Sequence, residues 1–210
     1  MTARVICLSR AICAGAEDAA AEIAKELGYR CVDEEIIARA AERQNLDPEE
    51  VADVERRKSF FAQLFEDIGR GGGVDMVAYV PHAGVMPLPS EDLRALIRDA
   101  ITETAAQGGV VIIAHAASYA LGKRDDVLRV LITGSLPVRA GRLATAEGKS
   151  LDEAEEAVRE SDAARADYLE RFYEVDRELA EHYDVTVSTD LLTPSQAAKV
   201  ILSAARAVRD

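Results

Sequence analysis

The stretch that decides the fold is Arg4-Val-Ile-Cys-Leu-Ser-Arg-Ala-Ile-Cys-Ala-Gly-Ala-Glu-Asp-Ala-Ala, residues 4–20. A short apolar run, Val5 to Leu8, leads into a turn of small residues, and an alanine-rich segment then continues to Gly28. A buried strand, a tight turn and a helix in this order are typical of a mononucleotide-binding unit. The stretch therefore predicts an α/β protein in which residues 9–17 have the position of a phosphate-binding loop.

The turn lacks most of the side chains on which such a loop depends. Cys13 replaces a glycine, Gly15 remains, Ala16 stands at the lysine position, and Glu17 stands at the position of the hydroxyl that binds Mg²⁺. A Cβ atom at positions 13 and 16 disfavours backbone conformations that glycine adopts easily. Glu17 and Asp18 also place negative charge at the helix N-terminus, where a phosphate would bind. We therefore expect weakened phosphate binding, unless Mg²⁺ bridges Glu17 to the phosphates.

Short apolar strands alternate with helical patterns along the rest of the chain. The predicted strands are 4–8, 29–32, 108–114, 127–133 and 183–188, and the predicted helices include 16–27, a segment from 33, 47–68, 90–106, and segments from 137, 150 and 193. Ser150 is predicted to begin the longest charged helix through a capping box with Glu153. This alternation favours a parallel sheet covered by helices on both faces. The glycine- and proline-rich stretch 69–89 is predicted to be a long flexible loop.

Several segments together resemble the cytidylate kinase-like family of P-loop nucleoside monophosphate kinases. They are Ser9-Arg10, the turn Cys13-Ala14-Gly15-Ala16, the run Gly28-Tyr-Arg-Cys-Val-Asp-Glu-Glu-Ile-Ile at 28–37, the lid-type positions Pro137, Arg139 and Arg142, and Asp162-Ala-Ala-Arg165-Ala-Asp-Tyr168. The family's Gly-Arg pair after the third strand is Ala114-His115 here. The resemblance implies one domain over 1–210 with a three-layer α/β, P-loop NTPase-like fold. That fold has a five-stranded parallel sheet, helices on both faces and a helical lid at about 137–175.

The resemblance also implies an activity and a set of site residues. The activity is phosphoryl transfer from ATP, with Mg²⁺, to a nucleoside monophosphate. The implied residues are Ser9, Arg10, Cys13, Ala14, Gly15, Ala16 and Glu17 for the cofactor, Asp33, Arg39, His115 and Arg165 for the substrate, and Arg139 and Arg142 for catalysis. The alternative function is a catalytically inactive kinase-fold protein that acts as a nucleotide or anion sensor or as a protein-interaction scaffold.

Most of these residues have a structural interpretation as well. Arg10 could form an ion pair with Asp33 or Glu35, and Asp33 could be an N-cap. Arg39 could lie on a solvated helix face, and His115 could have a structural role. Arg165 and Arg159 could pair with acids on a helix surface, Arg159 with Glu155. For Arg139 and Arg142 the resemblance favours the catalytic role, since arginines of a lid neutralise transferred charge.

Composition limits the partners. The 210-residue chain has a net charge of −13, which disfavours binding to nucleic-acid phosphates. No run approaches the roughly 18 apolar residues of a membrane helix, and no signal-peptide pattern is found, so we expect a cytoplasmic protein without a membrane partner.

The three cysteines lack metal-ligand spacing, and Cys7 and Cys31 are predicted to be buried thiols. The stretch 69–89, or the segment with Phe60, Phe61 and Phe65, is a candidate homodimer face.

Overall fold

The computed structural model describes residues 3–32, 90–113 and 117–208, and these form strands and helices in alternation. The strands are β1 (Val5–Arg10), β2 (Arg30–Val32), β3 (Val110–Ile113), β4 (Val127–Thr133) and β5 (Val185–Ser188). The helices are α1 (Ala16–Leu27), α2 (Ser90–Gln107), α3 (Ala117–Leu121), α4 (Leu136–Glu147), α5 (Leu151–Tyr173) and α6 (Pro194–Ala207), with a 3₁₀ turn at Ala180–His182.

The five strands form one sheet in the order β2-β3-β1-β4-β5, and every pairing is parallel. The central strand is β1, in which Leu8 lies opposite Ile113 of β3 and Val130 of β4. This confirms the predicted five-stranded parallel sheet. Because the strands are parallel, all their carboxyl ends meet at one edge, where ligands bind in open α/β sheets.

Helices cover both faces of the sheet, as predicted. On one face, α1 and α6 bury Ile23 and Ile201 against β1, β3 and β4. On the other face, α2 and α3 bury Ile101 and Ala117 against Val5 and Cys7 of β1 and Val110 and Ile112 of β3. Burial of each large aliphatic side chain contributes roughly 1.5–3 kcal/mol, so the two layers supply most of the driving force for this fold.

A helical hairpin, α4–α5, occupies the region in which a lid was predicted. Ala140, Leu143, Ala154 and Val158 form its buried seam. Gly148 ends α4 in the left-handed region, with φ +67°. The predicted capping box at Ser150 is confirmed, since its hydroxyl accepts from the Glu153 N–H while the Glu153 carboxylate accepts from the Ser150 N–H.

The structure differs from the sequence predictions at a few positions. Cys31 is exposed rather than buried, because β2 is the edge strand of the sheet. The strand β1 continues to Arg10, since Ser9 and Arg10 lie opposite Leu131 and Ile132 of β4. The short helix α3 was not predicted, because its five residues are too few to show a helical period. The predicted helices within 33–68 and the loop 69–89 lie outside the described residues.

Within the described ranges, none of the helices combines the length and the apolar character that a bilayer span requires.

Candidate functional site

The loop between β1 and α1 has the backbone shape of an anion-binding turn. Cys13 has φ +57°, and Gly15 has φ +76° and ψ +30°, so both lie in the left-handed region. Such turns direct successive N–H groups toward a common side. In the described structure no side chain caps the N-terminus of α1, which leaves the N–H groups of its first turn without a side-chain acceptor. The loop can therefore present N–H groups and a helix dipole to an anion.

Gly15 is required by packing as well as by its backbone angle. A Cβ atom on Gly15 would lie 2.7 Å from Cγ of Pro194, the first residue of α6. A positive φ alone costs an L-residue about 1–2 kcal/mol. The two effects together explain why this glycine is present while neighbouring loop positions carry side chains.

Cys13 accepts the left-handed conformation without being a glycine. Its side chain and that of Ile12 pack against the seam of the α4–α5 hairpin. Burial, followed by the nearby Glu147 and Glu17 carboxylates, raises the pKa of the Cys13 thiol. A raised pKa reduces the thiolate fraction at neutral pH, and the side chain packs the loop against the hairpin.

The arginine of the loop region is paired with an acid of the same segment. Nη1 of Arg10 lies 2.6 Å from Oε1 of Glu17, in the first turn of α1. The predicted pairing of Arg10 with Asp33 or Glu35 stays a prediction, because both acids lie outside the described residues. The ion pair places a carboxylate, rather than a phosphate, next to the Arg10 guanidinium.

Arg142 and Thr189 hydrogen-bond to backbone carbonyls of the loop. Nη1 of Arg142 donates to the Cys13 carbonyl at 3.2 Å and to the Thr189 hydroxyl at 2.9 Å, and Nη2 donates to the Thr189 carbonyl at 2.6 Å. The buried Thr189 hydroxyl donates in turn to the Ala14 carbonyl at 3.0 Å. The structure thus bonds Arg142, a predicted catalytic residue, to groups of the protein itself.

Arg139 is buried at the base of the hairpin. Its guanidinium donates to both carboxylate oxygens of Asp162, at 2.9 and 2.6 Å, and its Nε donates to the Gly134 carbonyl at 2.8 Å. Its side chain is only 6% exposed. These bonds connect α4 to α5 and to the turn before α4, and the catalytic role of Arg139 stays a prediction.

Arg165 belongs to a buried polar cluster with Glu178 and Tyr183. Its Nε donates to Glu178 at 2.9 Å, its Nη2 contacts the same carboxylate, and the Tyr183 hydroxyl donates to Glu178 as well. This is a buried pairing rather than the predicted alternative of a helix-surface pair. Nη1 of Arg165 is buried and makes no hydrogen bond within the described part of the chain. Arg159, in contrast, pairs on the surface with Glu155 at 2.8 Å, as predicted.

The remaining predicted residues divide between the described and undescribed parts of the chain. Ser9 is fully buried, and its hydroxyl lies 3.4 Å from that of Ser118 in α3. Ala14 and Ala16 are buried beneath the loop. Asp33, Arg39 and His115 lie outside the described residues. Over the ranges that are described, no group of three His, Cys, Asp or Glu residues is arranged to hold a metal ion.

The structure gives contacts to two further residues that the sequence analysis did not single out: Thr189, which is bonded to the loop, and Glu178, which is bonded to Arg165. Thr189 directly follows β5, so the rule that ligands bind at the carboxyl edge of a parallel sheet would have indicated it. Glu178 has no such pattern, because it lies in an irregular segment between α5 and β5.

Comparison with solved structures supports the fold. The chain superposes on an uncharacterized protein from Eubacterium ventriosum with a TM-score of 0.63, at 13% identity, over 96% of this chain and 97% of that one. It superposes on the shikimate kinase from Acinetobacter baumannii with a TM-score of 0.50, at 13% identity, over 96% of this chain and 92% of that one. At such identities the likeness shows a shared three-layer α/β fold of the P-loop kinase type.

Comparison of sequences finds relatives that carry a kinase name. The cytidylate kinase of Pyrobaculum arsenaticum is 26% identical over 137 residues, which cover 65% of this chain and 72% of that protein. The cytidylate kinase of Ignicoccus hospitalis is 29% identical over 143 residues, which cover 68% and 78%. The model of the cytidylate kinase-like family matches residues 5–191, a span that runs from the start of β1 to just beyond Thr189. This chain therefore belongs to the cytidylate kinase-like family.

Proposed function

We propose that this chain binds the phosphates of a nucleotide at the β1–α1 loop and does not transfer a phosphoryl group. Binding is supported by the left-handed backbone at Cys13 and Gly15 and by the uncapped N-terminus of α1. Both are features with which a loop receives an anion through its backbone. The function is therefore that of a nucleotide sensor with a kinase fold.

The observation that carries this proposal is the ion pair between Arg10 and Glu17. Phosphoryl transfer depends on cations that neutralise charge on the transferred group. Here Ala16 cannot supply a charge, Glu17 adds one of the wrong sign, and Arg10 is already neutralised by Glu17. A ligand phosphate must compete with this carboxylate for the Arg10 guanidinium.

The arginines of the α4–α5 hairpin, like Arg10, are bonded to groups of the protein. Arg139 is bound to Asp162, Arg142 to carbonyl and hydroxyl oxygens, and Arg165 to Glu178. Of the Arg165 guanidinium nitrogens, the buried Nη1 is the one left with hydrogen-bonding capacity among the described residues. The family resemblance implies a contact of Arg165 with the bound nucleotide, and we propose that contact without a role in transfer.

Magnesium fits this loop less well than the phosphates do. The Mg²⁺ of a phosphate-binding loop is held by a serine or threonine hydroxyl, and Glu17 stands at that position with its carboxylate on Arg10. We therefore propose that nucleotide binding does not require the metal. We also propose a cytoplasmic location, a reducing compartment in which the three free cysteines would stay reduced.

A second candidate function is phosphoryl transfer from ATP to cytidine monophosphate. It is favoured by the two curated relatives described above, which are named cytidylate kinases. A transfer assay decides between the candidates: purified protein is incubated with γ-labelled ATP, Mg²⁺ and each nucleoside monophosphate, and ATP binding is measured on the same preparation. The proposal expects saturable ATP binding without a labelled nucleoside diphosphate. Stoichiometric binding with multiple turnovers would establish the kinase instead.

A further inference from the structure

Thr189 joins three segments at the carboxyl edge of the sheet. Its N–H donates to the Thr133 carbonyl of β4 at 2.8 Å. Its hydroxyl donates to the Ala14 carbonyl at 3.0 Å, with the Thr133 carbonyl 3.2 Å away as a second acceptor, and accepts from Arg142 at 2.9 Å. Thr189 is 1% exposed, so water cannot replace any of these partners.

The turn before α4 packs directly against Thr189. A Cβ atom on Gly134 would lie 3.4 Å from the Thr189 hydroxyl and 3.1 Å from Oδ1 of Asp190. That same Asp190 oxygen accepts from the Ser135 N–H at 2.7 Å, which fixes the start of α4 and hence the location of Arg142. Thr189 is therefore held in place on the sheet side and on the hairpin side.

These bonds determine which way the loop peptides point. A trans peptide directs its C=O and its N–H to opposite sides. The Ala14 carbonyl is fixed by Thr189, so the N–H of Gly15 is directed away from Thr189. The Cys13 carbonyl is fixed by Arg142, which sets the Ala14 N–H where it donates to the Ala11 carbonyl at 3.2 Å. Loss of the Thr189 hydroxyl would leave the Ala14–Gly15 peptide free to rotate.

We propose that Thr189 is a positioning residue: together with Arg142 it fixes the Cys13 and Ala14 carbonyls, and by fixing the Ala14 carbonyl it orients the Gly15 N–H of the same peptide toward a phosphate. This inference rests on the proposed nucleotide binding, since it assigns Thr189 a part in that site. Thr189 does not itself contact the ligand in this account, and its effect is transmitted through the loop backbone.

The test compares Thr189→Val, which has nearly the same shape but no hydroxyl, with Thr189→Ser, which keeps the hydroxyl. Thr186→Val is the matched control, because Thr186 is an exposed residue of β5, the strand that Thr189 follows, and its hydroxyl makes no hydrogen bond to the loop among the described residues. ATP affinity is measured for each variant. The alkylation rates of Cys13 and Cys7 are followed separately by mass spectrometry of the modified peptides, with and without ATP.

The inference expects Thr189→Val to weaken ATP binding about tenfold, because the buried hydrogen bond that fixes the Ala14 carbonyl is lost, while Thr189→Ser and Thr186→Val bind as the wild type does. Cys13 should be alkylated several times faster in Thr189→Val, with no change at Cys7, which is fully buried in the core and reports global unfolding. An unchanged Cys13 rate, or equal acceleration at Cys7 and Cys13, would overturn the inference. A wild-type protein that binds no ATP would refute the proposed nucleotide binding, and the alkylation rates would still decide whether Thr189 holds the loop.

Discussion

The guanidinium of Arg10 and the carboxylate of Glu17 lie 2.6 Å apart across the β1–α1 loop, with side chains 27% and 51% exposed. The pair connects the end of the central strand to the first turn of α1. Its partial exposure means that a competing phosphate can displace the carboxylate, because exposed ion pairs contribute only about 0.2–1 kcal/mol. The Arg10–Glu17 ion pair is therefore a weak interaction that a bound phosphate can replace.

The substitution Glu17→Gln should strengthen ATP binding. The substitution frees Arg10 and removes a negative charge from the N-terminus of α1. Together the two effects are expected to increase the affinity for ATP about five- to tenfold at low salt. Titration calorimetry measures the change, and the gain should shrink as ionic strength rises. Asp18→Asn is the control, since it removes a neighbouring acid of the same turn that is not paired with Arg10. An equal gain in both variants would show that net charge, and not the ion pair, limits binding.

Gly15→Ala should destabilise the fold far more than Gly28→Ala. Both glycines have positive φ at the ends of α1, but a Cβ at Gly28 meets nothing within 4 Å, whereas one at Gly15 meets Pro194 at 2.7 Å. We expect about 1 kcal/mol for Gly28→Ala and roughly 2–4 kcal/mol for Gly15→Ala, measured as the free energy of unfolding in urea. Equal losses would mean that α6 yields to the added methyl group, and that packing against Pro194 does not set this position.

Glu178→Gln should destabilise the protein at neutral pH and change its acid sensitivity. Burial raises the pKa of the Glu178 carboxyl, but hydrogen bonds from Arg165 outweigh it, so the net pKa lies below its usual value. A depressed folded-state pKa gives stability that is present above the unfolded pKa of about 4.5 and is lost as pH falls through the folded value. The substitution leaves Arg165 buried without a compensating charge, which costs about 3–5 kcal/mol.

Urea unfolding of the wild type and of Glu178→Gln at pH 7 and at pH 4 checks this linkage. The stability difference between the two proteins should be large at pH 7 and smaller at pH 4, because at pH 4 the unfolded wild type binds a proton at Glu178 that the folded protein binds less readily. A difference that is the same at both pH values would contradict the assignment of Glu178 as the charge that compensates Arg165.

Arg139→Lys should loosen the α4–α5 hairpin. A lysine cannot reproduce the two parallel bonds to Asp162 together with the bond to the Gly134 carbonyl, so a loss of about 1–3 kcal/mol is expected. Hydrogen exchange should show faster exchange across α4 and the first half of α5, with β1 and β3 unchanged. If exchange and stability stay at wild-type levels while a measurable transfer activity falls, Arg139 acts on a transferred phosphoryl group as the sequence resemblance implies.

Much of the fold follows from local patterns in the sequence. The five strands, the boundaries of α1 and the Ser150 capping box were predicted because hydrophobic period and capping residues act within a few positions. The exposure of Cys31 was not predicted, because strand order decides it and strand order depends on distant pairings.

The position of the β1–α1 loop in the fold was predictable, but the contacts of its side chains were not. The loop sequence alone showed that Ala16 and Glu17 lack the required chemistry. The choice of Glu17 as the Arg10 partner, and of Asp162 and Glu178 as partners of the hairpin arginines, depends on separations of 7, 23 and 13 residues that no short-range rule connects. The i,i+4 pair of Arg159 and Glu155, in contrast, lies within reach of such a rule.

The most direct test of the account is a calorimetric titration of the wild-type protein with ATP, performed once with Mg²⁺ and once with a chelator in its place. The account predicts saturable binding in both titrations, because the proposed phosphate contacts are those of the loop backbone and Glu17 stands where a hydroxyl would bind the metal. An absence of binding in both, or binding that disappears when Mg²⁺ is removed, would contradict it.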